Sequence, residues 1–209
     1  VGALAPVMPE KAPAASAGEL LVLAFGGRRR DGFRYVVGEL IAGGSGASAG
    51  ADGVDVIETD ATNCMNLPAE AMELEAPIRI RRVALRRDSG GTGEWRGGLG
   101  VVREYEVLDG EVSFSHRGER HFSAASGLAG GGSGASARSV IRRADGSEEV
   151  IPSKITTTLG KGDRLLVETA GGGGYGDPRR RPVERAMADI SNGKVSVETA
   201  RALHGREIG

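Results

Sequence analysis

Between Glu58 and Glu75 the chain reads ETDATNCMNLPAEAMELE, its densest run of short polar side chains. Asp60, Thr62, Asn63 and Asn66 stand where a strand-like stretch, VDVIETDATN, gives way to a helix candidate, LPAEAMELE. Glu70 and Glu73 lie on the turn that follows. Side chains converge at such a junction, and carboxylates among hydroxyl and amide groups can bind a polar substrate or move its protons. The competing reading is structural, with Asn63 or Asn66 capping the helix and the acids solvated. Cys64 as a nucleophile would need a positioned base, and nothing nearby in sequence supplies one.

A second cluster, SFSHRGERHF, brings His116, Glu119 and His121 close together. Histidine and carboxylate can ligate a metal or shuttle protons. Two histidines five apart form no helix-spaced pair, so a polar loop after a hairpin strand is the better reading of the cluster. The third feature is RRDSGGTGEWRGGLGVVRE, a glycine loop carrying Arg96 and the sole tryptophan, Trp95. Its glycines allow close backbone approach, and Trp95 is expected to anchor the loop against the sheet.

The run Gly171 to Gly176, GGGGYG, satisfies the dinucleotide pattern G-x-G-x-x-G through Gly171, Gly173 and Gly176. That site requires a parallel βαβ unit with an acidic residue ending the next strand. Here the run follows hairpin-like, antiparallel sequence, and the helix after it leads to another helix. Glu198 falls at a suitable distance but inside that second helix. With 35 glycines in 209 residues, a chance match is easy, and the nucleotide reading fails on context.

The elements expected to position these groups are mostly strands. Residues 1–19, rich in Pro and Ala, read as an extended lead-in. LLVLAFGG and FRYVVGELIAGG form a first hairpin through RRRDG. IRIRRVAL is a strand, and VVREYEVLDGEVSFSH reads as a hairpin about the turn dipeptide Asp109-Gly110. RSVIRRADGSEEVI is another hairpin, and KITTTL pairs with DRLLVET through Gly160-Lys161-Gly162. Helical periodicity begins only after the glycine run. Pro182 opens a helix that Gly193 closes, and Ser196 caps a last helix that Gly205 stops. The expected fold is therefore mainly β, with antiparallel hairpins, glycine-rich loops and two short C-terminal helices, or else α+β. Residues 1–19 are the lead-in, 20–176 a β-rich domain and 177–209 a helical tail. The segment GGSGASA occurs at 43–49 and 131–137 without matching flanks, which points to independent glycine loops rather than duplicated half-domains.

Composition bounds the function. Net charge is −1 and only eight residues are aromatic, so nothing points to nucleic acid or an anionic membrane as partner. Lysine occurs only at 11, 154, 161 and 194, leaving arginine as most of the 27 basic residues. The triplets Arg28 to Arg30 and Arg179 to Arg181 read as solvated loops. One cysteine excludes an internal disulfide and fits a reducing, cytoplasmic setting. No window approaches the ~18 apolar residues of a membrane span. The chain begins at Val1 without Met and is read as a fragment or processed product.

Four ordered motifs carry a family likeness. T-N-x-x-N-x-P-x-E-x-x-E is met by Thr62, Asn63, Asn66, Pro68, Glu70 and Glu73. D-S-G-G-x-G-x-x-R-G-G-x-G is met from Asp88 to Gly100, Pro152-Ser153-Lys154 follows, and T-x-G-G-G-G-Y-G-D-P runs from Thr169 to Pro178. The chain thereby resembles the hydantoinase B / 5-oxoprolinase family, but only the C-terminal part of its longer members. The resemblance implies the B subunit of an ATP-dependent cyclic amidohydrolase. A partner A subunit would bind ATP and phosphorylate the amide oxygen, and the B subunit would complete hydrolysis with metal-bound hydroxide. It places ATP on the partner and the divalent metal's ligands in a region outside this chain, so the fragment alone should be inactive. Within the likeness, Asp60, Thr62, Asn63, Asn66 and Glu70 are the candidate catalytic residues. Arg96, Gly97, Gly98, His116, Gly173, Gly174 and Tyr175 are the candidate substrate contacts. Many members carry His at the place of Asp60, Thr at those of Cys64 and Leu67, and Pro-Trp where this chain has Ala125-Ser126, which leaves substrate identity open. Two other functions remain: the acetone carboxylase branch, a ligase using the same activation logic on a ketone, and a non-catalytic β-rich assembly module.

Overall fold

The computed structural model describes residues 2–18, 21–58 and 64–204. Strands β1 (Leu21–Arg28), β2 (Arg34–Ile41), β5 (Glu111–Arg117) and β8 (Lys154–Gly160) form an antiparallel sheet in the order β2-β1-β5-β8. Strands β3 (Ile78–Leu85), β4 (Val101–Val107), β6 (Arg138–Arg142), β7 (Glu148–Val150) and β9 (Arg164–Glu168) form a second, in the order β3-β4-β9-β6-β7. Both sheets contribute to one apolar core. Leu23, Phe25 and Phe114 from the first meet Tyr105, Ile141 and Leu165 from the second, as alternation along strands that each bury one face requires. The mainly β fold expected from the sequence is the fold observed.

Two of the expected hairpins are not hairpins. The strands flanking Asp109-Gly110, β4 and β5, belong to different sheets, and so do β8 and β9 around Gly160-Lys161-Gly162. Gly110 and Gly162 have the expected positive φ, at 68° and 86°, but the turns carry the chain across the core. Local turn chemistry is the same for a hairpin and for a corner between stacked sheets. Only β1–β2 and β6–β7 pair across short turns as expected. The strand expected over 54–63 is likewise absent among its described residues, where 54–58 show one isolated bridge from Ile57 to Gly43.

Helix α1 (Ala69–Glu75) follows an N-cap Pro68 with no side-chain cap, so Asn66 does not cap it. Helices α2 (Val183–Ser191) and α3 (Val197–His204) form the tail. Ser196 caps α3, its Oγ accepting the Thr199 N–H at 3.1 Å, while the stop at Gly205 lies outside the described residues. No helix among the described residues is long and apolar enough to cross a membrane.

The remaining glycine-rich segments are one structure. The segment 170–175 runs through the middle of a bundle whose other strands are 14–17, 43–47, 89–92, 97–100, 126–128 and 131–135. Gly171, Gly172, Gly173 and Gly174 donate in turn to the carbonyls of Ala135, Gly98, Ala15 and Gly132, at 2.8–3.1 Å. Gly171 and Gly174 thus address the same neighbour, three residues apart on both sides, which is the three-residue repeat of a polyproline-II-type strand. A Cβ on any of the four would stand 1.9–2.2 Å from a neighbouring carbonyl oxygen. Only glycine lets the backbones come this close. The two GGSGASA copies are both outer strands of the bundle, Gly44 meeting Gly98 and Gly172, Gly134 meeting Gly171, so their likeness reflects one packing constraint met twice.

Candidate functional site

Of the polar junction at 58–75, the described residues from 64 onward sit at one edge of the core. Asp60, Thr62 and Asn63 lie outside the described residues. Asn66 and Glu70 are exposed. Glu73 is engaged otherwise, its carboxylate accepting the Ile80 N–H at 2.9 Å beside the register shift between Ile80 and Arg82. Val56 and Leu67 pack against the core at either end of the junction.

Beneath it lies a buried ionic group that composition and motif matching do not reveal. Glu39 of β2 and Arg103 of β4 pair in the core, 2% and 3% exposed. Tyr105 donates its hydroxyl to Glu39 at 2.5 Å, and Arg103 donates to the Leu67 carbonyl at 3.3 Å. Burial raises the Glu39 carboxyl above its ordinary value, against the bonds from Tyr105 and Arg103 that favour its charge. Burial and the Glu39 charge push the Tyr105 phenol well up. The group ties the sheets together and fixes Leu67. The signal was present in the alternation of β4, where Arg103 falls in phase with Val101, Tyr105 and Val107, all buried.

His116 is also in the core. Its Nδ1 meets the Ser153 carbonyl at 3.0 Å and its Nε2 the Ser139 hydroxyl at 2.9 Å, so it crosses from β5 to β6 of the other sheet. A carbonyl can only accept, which makes Nδ1 the protonated nitrogen. Burial lowers its pKa to about 4, opposed by the Ser153 bond. The His121 ring stands perpendicular to it at 5.2 Å, whereas the Glu119 carboxylate pairs with Lys154 at 2.7 Å. The three residues that the sequence grouped do not converge on a common point. Among the described residues no group of three or more His, Cys, Asp or Glu could hold a metal ion.

The motifs around Arg96 and Tyr175 are brought together by the bundle. Trp95 and Tyr175 exchange backbone hydrogen bonds at 3.0 and 2.9 Å. Gly97 leans on Gly172 and Gly173, and Gly98 accepts the Gly172 N–H. These candidates and Arg96 are buried; Tyr175 is half-buried and reaches the Pro9 carbonyl at 3.1 Å. Arg96 pairs with Asp55 at 3.1 Å and Asp189 at 3.4 Å. Arg181, the third residue of a run expected to be solvated, is 7% exposed and clamps Asp52 and Asp189. Lys194 completes the set on Asp55 at 2.7 Å. Burial would raise Asp52 and Asp55, but Arg181 on the first and Lys194, the Leu99 N–H and Arg96 on the second bring both below the usual carboxylate range. Trp95 anchors on the tail rather than on a sheet, with the Arg185 guanidinium 4.5 Å from its ring centre.

Comparison with known proteins gives a consistent result. The family model described as Hydantoinase B/oxoprolinase matches residues 1–178. A protein of Pseudomonas sp. (strain NS671), provisionally named as the B subunit of a D-/L-hydantoinase, is 34% identical over 208 residues, 99% of this chain and 35% of its own length. The crystal structure of the ATP-dependent caprolactamase from Pseudomonas jessenii superposes with a TM-score of 0.79 at 29% identity, over 97% of this chain and 37% of that one. A nucleotide-free acetone carboxylase shares the fold, with a TM-score of 0.77 at 24% identity over 92% of this chain and 30% of that one. The chain spans about a third of the length of two of the curated relatives it matches and 11–24% of others.

Proposed function

The chain belongs to the hydantoinase B/oxoprolinase family, and from that premise we propose that it is one portion of the B subunit of an ATP-dependent cyclic amidohydrolase. An amide is a poor electrophile because nitrogen donates into its carbonyl. Transfer of a phosphoryl group to the oxygen makes the carbon open to attack by water. In this proposal ATP is held by a partner A subunit, which carries out the transfer, and the B subunit completes the ring opening. The observation that supports it best is the likeness to the caprolactamase, which takes in sandwich, bundle and tail alike.

The chain's own share is positional. Glu39, Arg103 and Tyr105 hold Leu67, and Leu67 carries the segment of Asp60, Thr62, Asn63, Asn66 and Glu70. We assign the polar contacts to the cyclic substrate to that segment. Arg96, Gly97, Gly98, His116, Gly173, Gly174 and Tyr175 would support substrate binding through the sheets and the bundle to which they belong. The metal-dependent step is not assigned to this chain, whose described residues form no metal site.

The test is reconstitution. The chain is supplied with the rest of a B-type subunit and an A subunit, and ATP-dependent hydrolysis of 5-oxoproline, hydantoin and caprolactam is followed with divalent metal added. Turnover that depends on ATP and on this chain is expected. Absence of hydrolysis with every cyclic amide overturns the proposal, and ATP consumption that instead requires acetone and bicarbonate replaces it with the carboxylase reaction.

A further inference from the structure

The two sheets turn different faces away from their shared core. On the larger sheet, Arg79, Glu106, Arg164, Arg142 and Glu148 are cross-strand neighbours in one row. Ion pairs lace that face, Arg164 to Glu106 and Arg142 to Glu148 among them. Such a surface suits water. On the smaller sheet two adjacent outward rows read Val36, Gly26, Ser113, Thr158 and Gly38, Ala24, Ser115, Thr156. Neither row holds a charge, and nothing in them is bulkier than valine or threonine. All eight positions are at least partly exposed, Val36 at 82%.

The glycines in those rows sharpen the contrast. A Cβ on Gly26 would come no nearer than 3.6 Å to any other atom, and one on Gly38 no nearer than 3.8 Å. Neither has a positive φ. Nothing among the described residues requires glycine at either position, unlike in the bundle. Glycine inside a strand weakens it, and one reason to find it there is the close approach of another backbone.

We propose that this neutral face is an interior contact, covered by the polypeptide that makes up the other two-thirds of a B-type subunit. The inference rests on the reading that the chain is one portion of such a subunit. Its occupant is argued from size, since this chain accounts for only 35% of the hydantoinase-type relative and 37% of the caprolactamase chain. A body about twice as large must pack somewhere on this one. The uncharged middle of this face, between Arg28, Arg34 and Glu111 at one end and Arg117 and Lys154 at the other, loses little on leaving water. The covering element is itself uncharged where it meets Ser113, Ser115, Thr156 and Thr158, and its backbone lies close over Gly26 and Gly38.

Cysteine labelling tests this. In a Cys64→Ser background, Ser113→Cys reports the neutral face and Glu148→Cys the charged one, each measured with a maleimide in the isolated chain and in the same chain carried within a full-length subunit. Ser113→Cys is expected to react freely when the chain is alone and at least ten-fold more slowly in the subunit, while Glu148→Cys reacts equally in both. Equal reactivity of Ser113→Cys in both overturns the inference. So does slow reaction in the isolated chain accompanied by a dimer in light scattering, which makes a second copy the occupant. The readout is independent of turnover: an active subunit with a reactive Ser113→Cys removes the interface and keeps the function, and an inactive one with a protected Ser113→Cys does the reverse.

Discussion

Arg181 grips Asp52 with both terminal nitrogens, at 2.8 and 3.0 Å, across 129 residues of sequence. The same guanidinium bonds Asp189 of α2 at 2.7 Å. One side chain therefore fastens the helical tail to the loop that follows bundle strand 43–47. Arg181→Met should cost about 2–4 kcal/mol, somewhat under the full penalty for breaking a buried pair because Asp52 keeps some contact with water. Urea unfolding measures the loss, and hydrogen exchange should show α2 and α3 opening ahead of the sheets. A loss under about 0.5 kcal/mol would show that Arg181 is not what holds the tail.

Gly172→Ala should be among the most damaging single-methyl changes available. The new Cβ would stand 1.9 Å from the Ser45 carbonyl oxygen, and backbone on all sides leaves nothing to give way. A loss at or beyond about 3 kcal/mol is expected. Gly38→Ala adds the same methyl where the nearest atom is 3.8 Å away and should leave the isolated chain unchanged or up to about 1 kcal/mol more stable. Thermal melts of the two variants side by side decide the matter.

His116 predicts a pH dependence. Its folded pKa, about 4, lies below the ordinary 6.5, so the unfolded chain binds the proton more readily. The stability this histidine contributes is complete above about pH 6.5 and falls away as the pH drops toward 4. The full span is about 3 kcal/mol. Comparing wild type with His116→Gln in urea at pH 7 and 4.5 isolates the effect from the carboxylates. The variant should lose less stability on acidification, and equal losses would contradict the assignment.

Glu39→Gln leaves the Arg103 guanidinium buried without a counter-charge and should cost about 3–5 kcal/mol. Tyr105→Phe removes one bond to a charged acceptor and should cost about 1.5–3 kcal/mol. Because the groups share one carboxylate, the double variant should lose less than the sum. Strict additivity in denaturation would mean that they do not act as a unit.

Much of the β architecture could be read from alternation and turn residues, but not the pairing of its strands. Asp109-Gly110 marks a tight reversal, yet whether β5 returns beside β4 or crosses to the opposite sheet depends on β1 and β9, which lie far away in sequence. The helical tail was clearer, because Pro182 and Ser196 act on their own first turns. The phase of β4 marks Arg103 as inward but not what pairs with it, and nothing local marks Arg181 as buried, since each owes its place to a carboxylate more than 60 residues distant. His116 and Glu119 looked like partners by proximity in the chain, but β5 ends at Arg117, so the strand that turns His116 into the core does not extend to Glu119. The glycine run was the hardest to read. Its pattern matched a phosphate loop, while the reason for its glycines lies in the six other segments that crowd against it.

That bundle has a kinetic consequence. Its strands carry almost no side chains to recognise one another, and their hydrogen bonds join residue 15 to 173 and 44 to 170. Apart from 89–92 with 97–100 and 126–128 with 131–135, which bond to near neighbours in sequence, its strands gain partners only after distant parts of the chain have met, so most contacts close a long loop before anything compensates for it. The sandwich, with its local hairpins, can nucleate first and bring the bundle's strands into register. Gly171 to Gly174 would then be the last stretch to find its place in refolding.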